Sequence, residues 1–442
     1  MKNNKILLIA IAVIAFTLRL YHITYPIADW HSWRQADTAA VARNFLRFGI
    51  DPLHPRYDDL SNIQSGHDNP QGWRMVEFPL YQAAGAWVYK TFGVFTLEIW
   101  LRLLTIAASV GTVVILGLMA GLLPALIFAI LPYSVYYGRT ILPDPQMVFW
   151  AMLSLWLVTR KRVFLAALAG AIALLSKPMA AFLLLPIPYI VFKQSGISKK
   201  SLIRLFVYSI ISLLPLVFWR KWILQYPEGI PVSTWLLNGN GIRFKGAWFH
   251  WLFATRLGDL ILGFWGMIPF GLGLAGNFFL WGLGPLLYFI VFASGNVQHD
   301  YYQILILPAV SVFVGKGLRH MHWVLGIVSV SFMISFSWFT IRTFYWINRP
   351  EIVEAGKLAN QILPKDAKVI ASYNGDTTFL YQTQRQGWPL GFDIDKKIAM
   401  GATAYVTVSP TDNDGETKDL ANRYTVLVRN DKFAIIDLTR PK

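Results

Sequence analysis

The sequence predicts a polytopic α-helical membrane protein of about 11–13 transmembrane helices, followed by a small extramembrane α/β domain. Three observations predict it. Of 442 residues, 55% are hydrophobic and 14% charged, where a soluble domain carries about 25% charged residues. Apolar runs long enough to cross a bilayer recur from Ile6 to Ile347. Past about Pro350 the pattern changes to a helix followed by Val-, Ile- and Tyr-rich strands.

The candidate spans are 6–24, 103–119, 121–137, 145–159, 163–176, 179–193, 203–222, 257–272, 277–293, 301–316 and 322–343. A further apolar segment, 79–95, carries Gln82 and Lys90 and either spans or lies at the interface. The run 103–137 is divided by Gly117, Gly121 and Pro124. Ile6–Phe16 has the length of a signal-peptide core, but Arg19, Tyr21 and His22 follow it in place of a small-residue cleavage site. It reads as an uncleaved first span. In the tail, GKLANQILPKDAKVIAS reads as helix, turn at Pro364–Asp366, then strand; ATAYVTVS and YTVLVRNDKFAIIDL read as further strands. The expected domains are 1–348, with a first external loop at 25–78, and 349–442.

A net charge of +16 fits Lys and Arg concentrated in cytoplasmic loops, and no nucleic-acid partner is expected. Lys2 and Lys5, the Arg160–Lys161–Arg162 loop, 193–204 and 316–322 then lie in the cytoplasm. Alternation puts 25–78, 138–144, Lys177, 223–256, 294–300 and the tail outside. That is the orientation of a plasma-membrane protein, in bacteria an inner-membrane protein with its tail in the periplasm. The chain has no cysteine, so disulfides and thiolate metal sites are excluded.

Ionisable groups near membrane depth are functional candidates, because their desolvation is costly. Asp29, His31, Arg34 and Asp37 follow the first span. Asp37 opens an apparent basic amphipathic helix, with Val41, Phe45 and Phe48 on one face and Arg43 and Arg47 on another, the arginines serving as headgroup anchors. The segment 54–81 holds His54, Asp58, Asp59, His67, Asp68 and Glu77, which are either solvated loop residues or ligands of a divalent cation. In YYGRTILPDPQ, Arg139 and Asp144 bracket a turn, and two prolines fix the backbone of Asp144. Lys177 stands between apolar runs with no acid nearby in sequence. His299, Asp300, Tyr301 and Tyr302 stand at the mouth of a span. A carboxylate can take a proton from an incoming hydroxyl, while Arg, Lys or His⁺ holds a phosphate leaving group.

The acidic first loop, the EFPL segment, YYGRTILPD, ALLSKP and HDYYQILILP, in that order and spacing, resemble the GT-C superfamily of membrane glycosyltransferases. Over residues 5–340 the chain is most similar to the family 39 group, which includes protein O-mannosyltransferases and lipid A aminoarabinose transferases. The resemblance implies an inverting transfer from a polyprenyl-phosphate-linked sugar to a lipid, glycan or protein acceptor, with membrane lipids around the bundle. It implies a catalytic acid in the first external loop, often an Asp-Glu pair. Arg34-Gln35 stands in that place here, so Asp29 or Asp37 supplies the carboxylate. Asp144 matches a second external acid. Glu77 matches a carboxylate that binds a metal ion in some relatives, although the lysine that often follows is Phe78 here. Arg34, Arg139, Lys177, His299, Tyr301 and Tyr302 are the candidates for the donor phosphate. Asp376, Arg385 and Trp388 are the tail's candidates for meeting the acceptor. A transporter or flippase of a lipid-linked sugar is the competing reading. It calls for mid-span charges, which 203–222, 277–293 and 322–343 lack. A non-catalytic scaffold leaves the external acids unexplained.

Overall fold

The computed structural model describes residues 2–411 and 415–442. Met1, the side chain of Lys2 on which the N-terminal orientation partly rests, and residues 412–414 of the tail lie outside the described residues. Packing divides the chain into two units. One comprises Met1–Ile23, Arg102–Trp222 and Ser233–Phe344; the other comprises Thr24–Leu101, Ile223–Val232 and Tyr345–Lys442. Packing thus groups the first-loop region with the tail, where the order of the sequence suggests a boundary at 348/349.

The first unit is helical. Four helical stretches in the chain are long and apolar enough to cross a bilayer, Leu97–Met119, Lys199–Gln225, Asp300–His320 and Trp323–Ile362. Ile203, Phe206, Phe218, Leu325, Ile327 and Phe339 are exposed on two of them, as a lipid-facing surface requires. Asp300–His320, by contrast, is almost wholly buried. Several expected spans are broken into shorter helices. The run 121–137 becomes Leu122–Ile130 and Pro132–Tyr137, because Pro132 forces Leu131 out of the helical region (φ −55°, ψ 122°). The run 179–193 becomes Ala180–Leu184 and Ile187–Ser195 around Pro186. The run 257–272 becomes the π-helix His250–Ile261 and the α-helix Met267–Leu274.

Packing inside this unit is close. Asp144–Thr159 lies against Val163–Ser176, which lies against Lys199–Trp222. Met267–Leu274 and Leu307–Gly317 meet through glycines. A Cβ on Gly273 would stand 1.8 Å from the carbonyl oxygen of Phe313, and one on Gly317 1.7 Å from that of Pro269. Small residues let backbones approach where no hydrophobic force between helices operates.

In the second unit, helix Ser32–Phe48 packs on Leu80–Phe92 and on Thr377–Thr383. It begins at Ser32, not Asp37, and every residue from Arg34 to Phe45 is buried. It is therefore a core helix and not an amphipathic helix on a membrane surface. Arg43 is no headgroup anchor: it pairs with Asp58 and donates to the carbonyl of Tyr381 at 3.0 Å. Arg47 donates to the carbonyl of Gln384 at 2.6 Å.

The tail forms the expected α/β domain. Helix Pro350–Ile362 leads into strands β1 (Lys368–Ala371), β2 (Gly387–Trp388), β3 (Ala402–Thr407), β4 (Tyr424–Arg429) and β5 (Ala434–Pro441). Their order is β2-β1-β3-β5-β4; β1 is parallel to β2 and β3, and β5 is antiparallel to β3 and β4. Alternation fills both faces. Val369 and Ala371 pack under Pro350–Ile362 with Phe379, while Ile370 packs with Leu60, Trp388 and Leu420. The first-loop segment joins the β2 edge, with Leu60 N–H donating to Gly387 O at 2.7 Å and Gly387 N–H to Asp58 O at 2.9 Å.

Gly317→Ala is expected to lower the melting temperature of the detergent-purified protein, at a cost of about 1–3 kcal/mol from overpacking. Gly271→Ala, whose added Cβ meets nothing within 4 Å, serves as the control and should leave it unchanged. Equal melting curves for the two variants would refute the close helix contact.

Candidate active site

In the first unit, two acid-centred clusters form where helices break. Asp144 is the first residue of helix Asp144–Thr159, after Pro143, a position where a carboxylate interacts favourably with the helix dipole. Lys177 ends helix Val163–Ser176 in an extended conformation, φ −158°, as the following Pro178 demands. Lys177 Nζ donates to Asp144 Oδ1 at 2.8 Å, both side chains being buried. The ammonium also lies 5.2 Å from the ring centroids of both Tyr301 and Tyr302. Asp144 Oδ2 is buried with no hydrogen-bond partner among the described residues. The lysine without a nearby acid in sequence thus finds one 33 positions earlier.

The second cluster surrounds Asp300. The Tyr137 hydroxyl donates to its Oδ1 at 2.7 Å, Tyr133 donates to its backbone carbonyl, and Arg256 lies 3.8 Å from Oδ2. Tyr133 and Tyr137 share one face of Pro132–Tyr137 by their spacing of four. Arg256 comes from the π-helix. Asp300 was singled out in the sequence at the mouth of a span, but its partners Tyr133, Tyr137 and Arg256 were not among the sequence candidates. An arginine at the edge of an apolar run and a Tyr pair at helical spacing were the available signals. His299 packs against the rings of Trp235, Tyr301 and Tyr302. Arg139 is fully buried and donates to the His22 carbonyl at 3.4 Å; its turn partner Asp144 is held by Lys177.

The second unit gathers the first-loop residues. Asp29 lies in the turn before helix Ser32–Phe48, and its Oδ1 accepts from Gln35 Nε2 at 2.8 Å. Between Asp29 and the helix stands His31, at φ 54° and ψ 33°, a left-handed conformation that costs a non-glycine residue about 1–2 kcal/mol. Asp37 is fully enclosed. Its Oδ1 accepts from Thr377 Oγ1 at 2.7 Å; its Oδ2 accepts from Arg74 Nη2 at 3.0 Å and from Gln64 Nε2 at 3.4 Å. Arg34 donates to both oxygens of Glu77 at 3.0 and 2.8 Å, and Gln82 adds a third bond at 3.1 Å.

These contacts test the metal proposal. Arg34 stands where a cation would sit on Glu77. Asp58 pairs with Arg43, His54 with Asp51 at 2.7 Å, and Asp68 with Lys396 at 2.8 Å. No group of three His, Asp or Glu residues gathers among the described residues. The donor set does not fit a divalent cation, and no chemical step is derived through one. The tail candidates are likewise internal. Trp388 is buried against Ile370, Arg385 donates to the carbonyls of Pro364 and Leu363 at 2.7 and 2.9 Å, and Asp376 caps helix Thr377–Thr383 by accepting from Thr378 N–H at 2.7 Å.

No family model and no curated protein matches the sequence. Solved structures do. ArnT from Cupriavidus metallidurans bound to undecaprenyl phosphate matches with a TM-score of 0.65 at 13% identity, over 98% of this chain and 97% of that one. The Archaeoglobus fulgidus oligosaccharyltransferase tethered with an acceptor peptide matches with a TM-score of 0.55 at 10% identity, over 96% of this chain and 72% of that one. Arabinofuranosyltransferase AftD from Mycobacteria matches with a TM-score of 0.52 at 13% identity, over 97% of this chain and 41% of that one. The chain has the fold of GT-C superfamily membrane glycosyltransferases.

One buried acid gives a pH prediction. Burial pushes Asp59 up to about 6; hydrogen bonds from Ser61 oppose the shift, Asp37 adds to it and Arg74 opposes it. In the unfolded chain the group ionises near 3.8. A raised carboxylate keeps its proton longer in the folded state, so folding stability falls as pH rises from about 4 to 6 and stays lower above that. Asp59→Asn should remove this dependence and raise stability above pH 6 by up to about 3 kcal/mol. Thermal unfolding from pH 4 to 8 would show it. Parallel pH curves for variant and wild type would refute the assignment.

Proposed function

We propose that the protein is an inverting glycosyltransferase that moves a sugar from a polyprenyl-phosphate-linked donor to an acceptor hydroxyl at the external face of the membrane. The observation that carries this reading is a GT-C fold matched from end to end in a structure that holds undecaprenyl phosphate. Family 39 likeness in the sequence motifs agrees with it.

Asp29 is the general base. Both oxygens of Asp37 accept bonds from Thr377 and Arg74, a fixed role in the fold that favours Asp29 as the base, although Asp29 is buried too and accepts from Gln35. Asp37 is a positioning residue that anchors helix Ser32–Phe48 through Arg74. Lys177, held by Asp144, meets the donor phosphate, with Tyr301 and Tyr302 bounding the ammonium. Arg139 and His299 are the further phosphate candidates. Arg34 pairs with both oxygens of Glu77.

The acceptor O–H gives its proton to the Asp29 carboxylate while its oxygen attacks the anomeric carbon from the face opposite the phosphate. The bond between the anomeric carbon and the phosphate oxygen breaks, and its electron pair leaves on the polyprenyl phosphate. A cation at the phosphate neutralises the growing charge. The products are a glycosylated acceptor of inverted configuration and a polyprenyl phosphate.

Purified protein is to be given radiolabelled polyprenyl-phosphate sugars together with candidate lipid, glycan and peptide acceptors. Asp29→Asn should cut turnover roughly a hundred- to ten-thousandfold with little change in donor binding. Lys177→Met should lower kcat/KM by roughly a hundredfold or more. Asp37→Asn should act through folding, lowering the melting temperature. Full turnover by Asp29→Asn would remove Asp29 as the base. Binding of every donor without turnover by the wild type would replace the transferase with a lipid-linked-sugar carrier.

A further inference from the structure

A polar cavity lies within the second unit, away from Asp29 and Asp37 in its lining. Its volume is about 210 Å³. One turn of helix Pro350–Ile362 supplies Lys357, Asn360 and Gln361, spaced so that they share a face. The end of helix Thr377–Thr383 supplies Gln382 and Gln384, and Glu98 faces them. Arg43 and Tyr381 close the wall, stacked with the guanidinium 4.0 Å from the ring centroid.

Two features distinguish this cavity from an ordinary surface cleft. The first is composition. Four amides, a carboxylate and an ammonium line it, so it offers donors and acceptors together. The second is that several of these groups are uncommitted. Lys357 and the side chains of Gln361 and Gln384 make no hydrogen bond among the described residues. Glu98 spends Oε1 on the Tyr381 hydroxyl at 2.6 Å, and its Oε2 makes no hydrogen bond among those residues. Arg43, by contrast, is already paired with Asp58, so the cavity holds one free carboxylate oxygen and one free ammonium and no cationic excess for an anion. Gln384 carries its amide at a left-handed position, φ 53° and ψ 37°, where glycine or asparagine is the easier residue.

We propose that this cavity binds one neutral pyranose residue of a glycan. A hexopyranose occupies roughly 190 Å³ at the packing density of organic crystals, so the cavity has room for one. Each of its hydroxyls both donates and accepts, which amides satisfy in either sense. The free oxygen of Glu98 accepts from a ring hydroxyl, and Lys357 donates to a neighbouring one. The site lies wholly in the second unit and does not depend on the transfer reaction proposed above.

The test is saturation-transfer NMR on the full chain in a sugar-free detergent, with the methyl glycosides of glucose, mannose and galactose as probes. At least one glycoside should bind in the millimolar range. Glu98→Gln, which replaces a charge-assisted bond with a neutral one, and the exposed Gln361→Ala, which loses one hydrogen bond, should each weaken it roughly three- to tenfold. Lys177→Met, which disables the proposed transfer site, should bind the glycoside as the wild type does. The proposal is overturned by any of three results: no transfer from any glycoside, binding unchanged in both Glu98→Gln and Gln361→Ala, or binding lost in Lys177→Met. Displacement of the glycoside by inorganic phosphate would overturn it too, by making the cavity an anion site.

Discussion

A helix broken inside an apolar bundle frees carbonyls that have no water to turn to, and each must find a donor within the protein. Arg19 supplies those donors at the break before Pro132. Its guanidinium is fully buried and donates to the carbonyls of Ala15, Ala129, Phe128 and Ser134, and to the hydroxyls of Ser109 and Ser134. The helix end and the next helix start are therefore tied to one side chain. The room for it comes from Gly138, where a Cβ would stand 2.3 Å from Arg19 Nε. The order of Pro132, Tyr133, Tyr137 and Gly138 in the sequence is thus a packing requirement before it is a chemical one. The tyrosines that reach Asp300 are set by the same break.

The candidate chemistry rests on buried ion pairs, each with its own geometry. Lys177 with Asp144, Arg74 with Asp37 and Arg34 with Glu77 are all nearly closed to solvent. Such pairs add little net stability, since desolvation offsets most of the attraction, but removing one partner strands the other. Their effect here is to fix side chains that would otherwise swing. Asp37 and Glu77 are held on the Ser32–Phe48 helix and the loop beside it. Asp144 and Lys177 are held at two helix ends shaped by Pro143 and Pro178. In the second unit the tail takes part directly, because Thr377 completes the shell of Asp37 and the β2 edge receives the Asp58–Leu60 strand segment.

The helical membrane class and the α/β tail, with β1, β3, β4 and β5, were legible in the sequence because they depend on local periodicity, whereas the two-residue β2 was not. Pro132 and Pro186 were legible as residues, yet the spans they interrupt were read as continuous, since hydropathy averages over a break. The helix Ser32–Phe48 was misread for a related reason. Its Arg43 and Arg47 look like an exposed basic face until the partners, Asp58 and the carbonyls of Tyr381 and Gln384, are brought in from 15 and about 340 positions away. Likewise, nothing local in the sequence shows that Thr377 and Arg74 hold the Asp37 carboxylate.

The sequence by itself determined the apolar segments, the proline-fixed turns and the residue types gathered outside the membrane spans, all of which follow from side-chain chemistry within a few residues. Only the tertiary structure decided which charges pair. Partner choice depends on contacts across tens to hundreds of residues, and desolvation makes each buried charge require partners inside the fold. That is how Lys177 comes to pair with Asp144, and Glu77 with Arg34, across 33 and 43 positions of sequence.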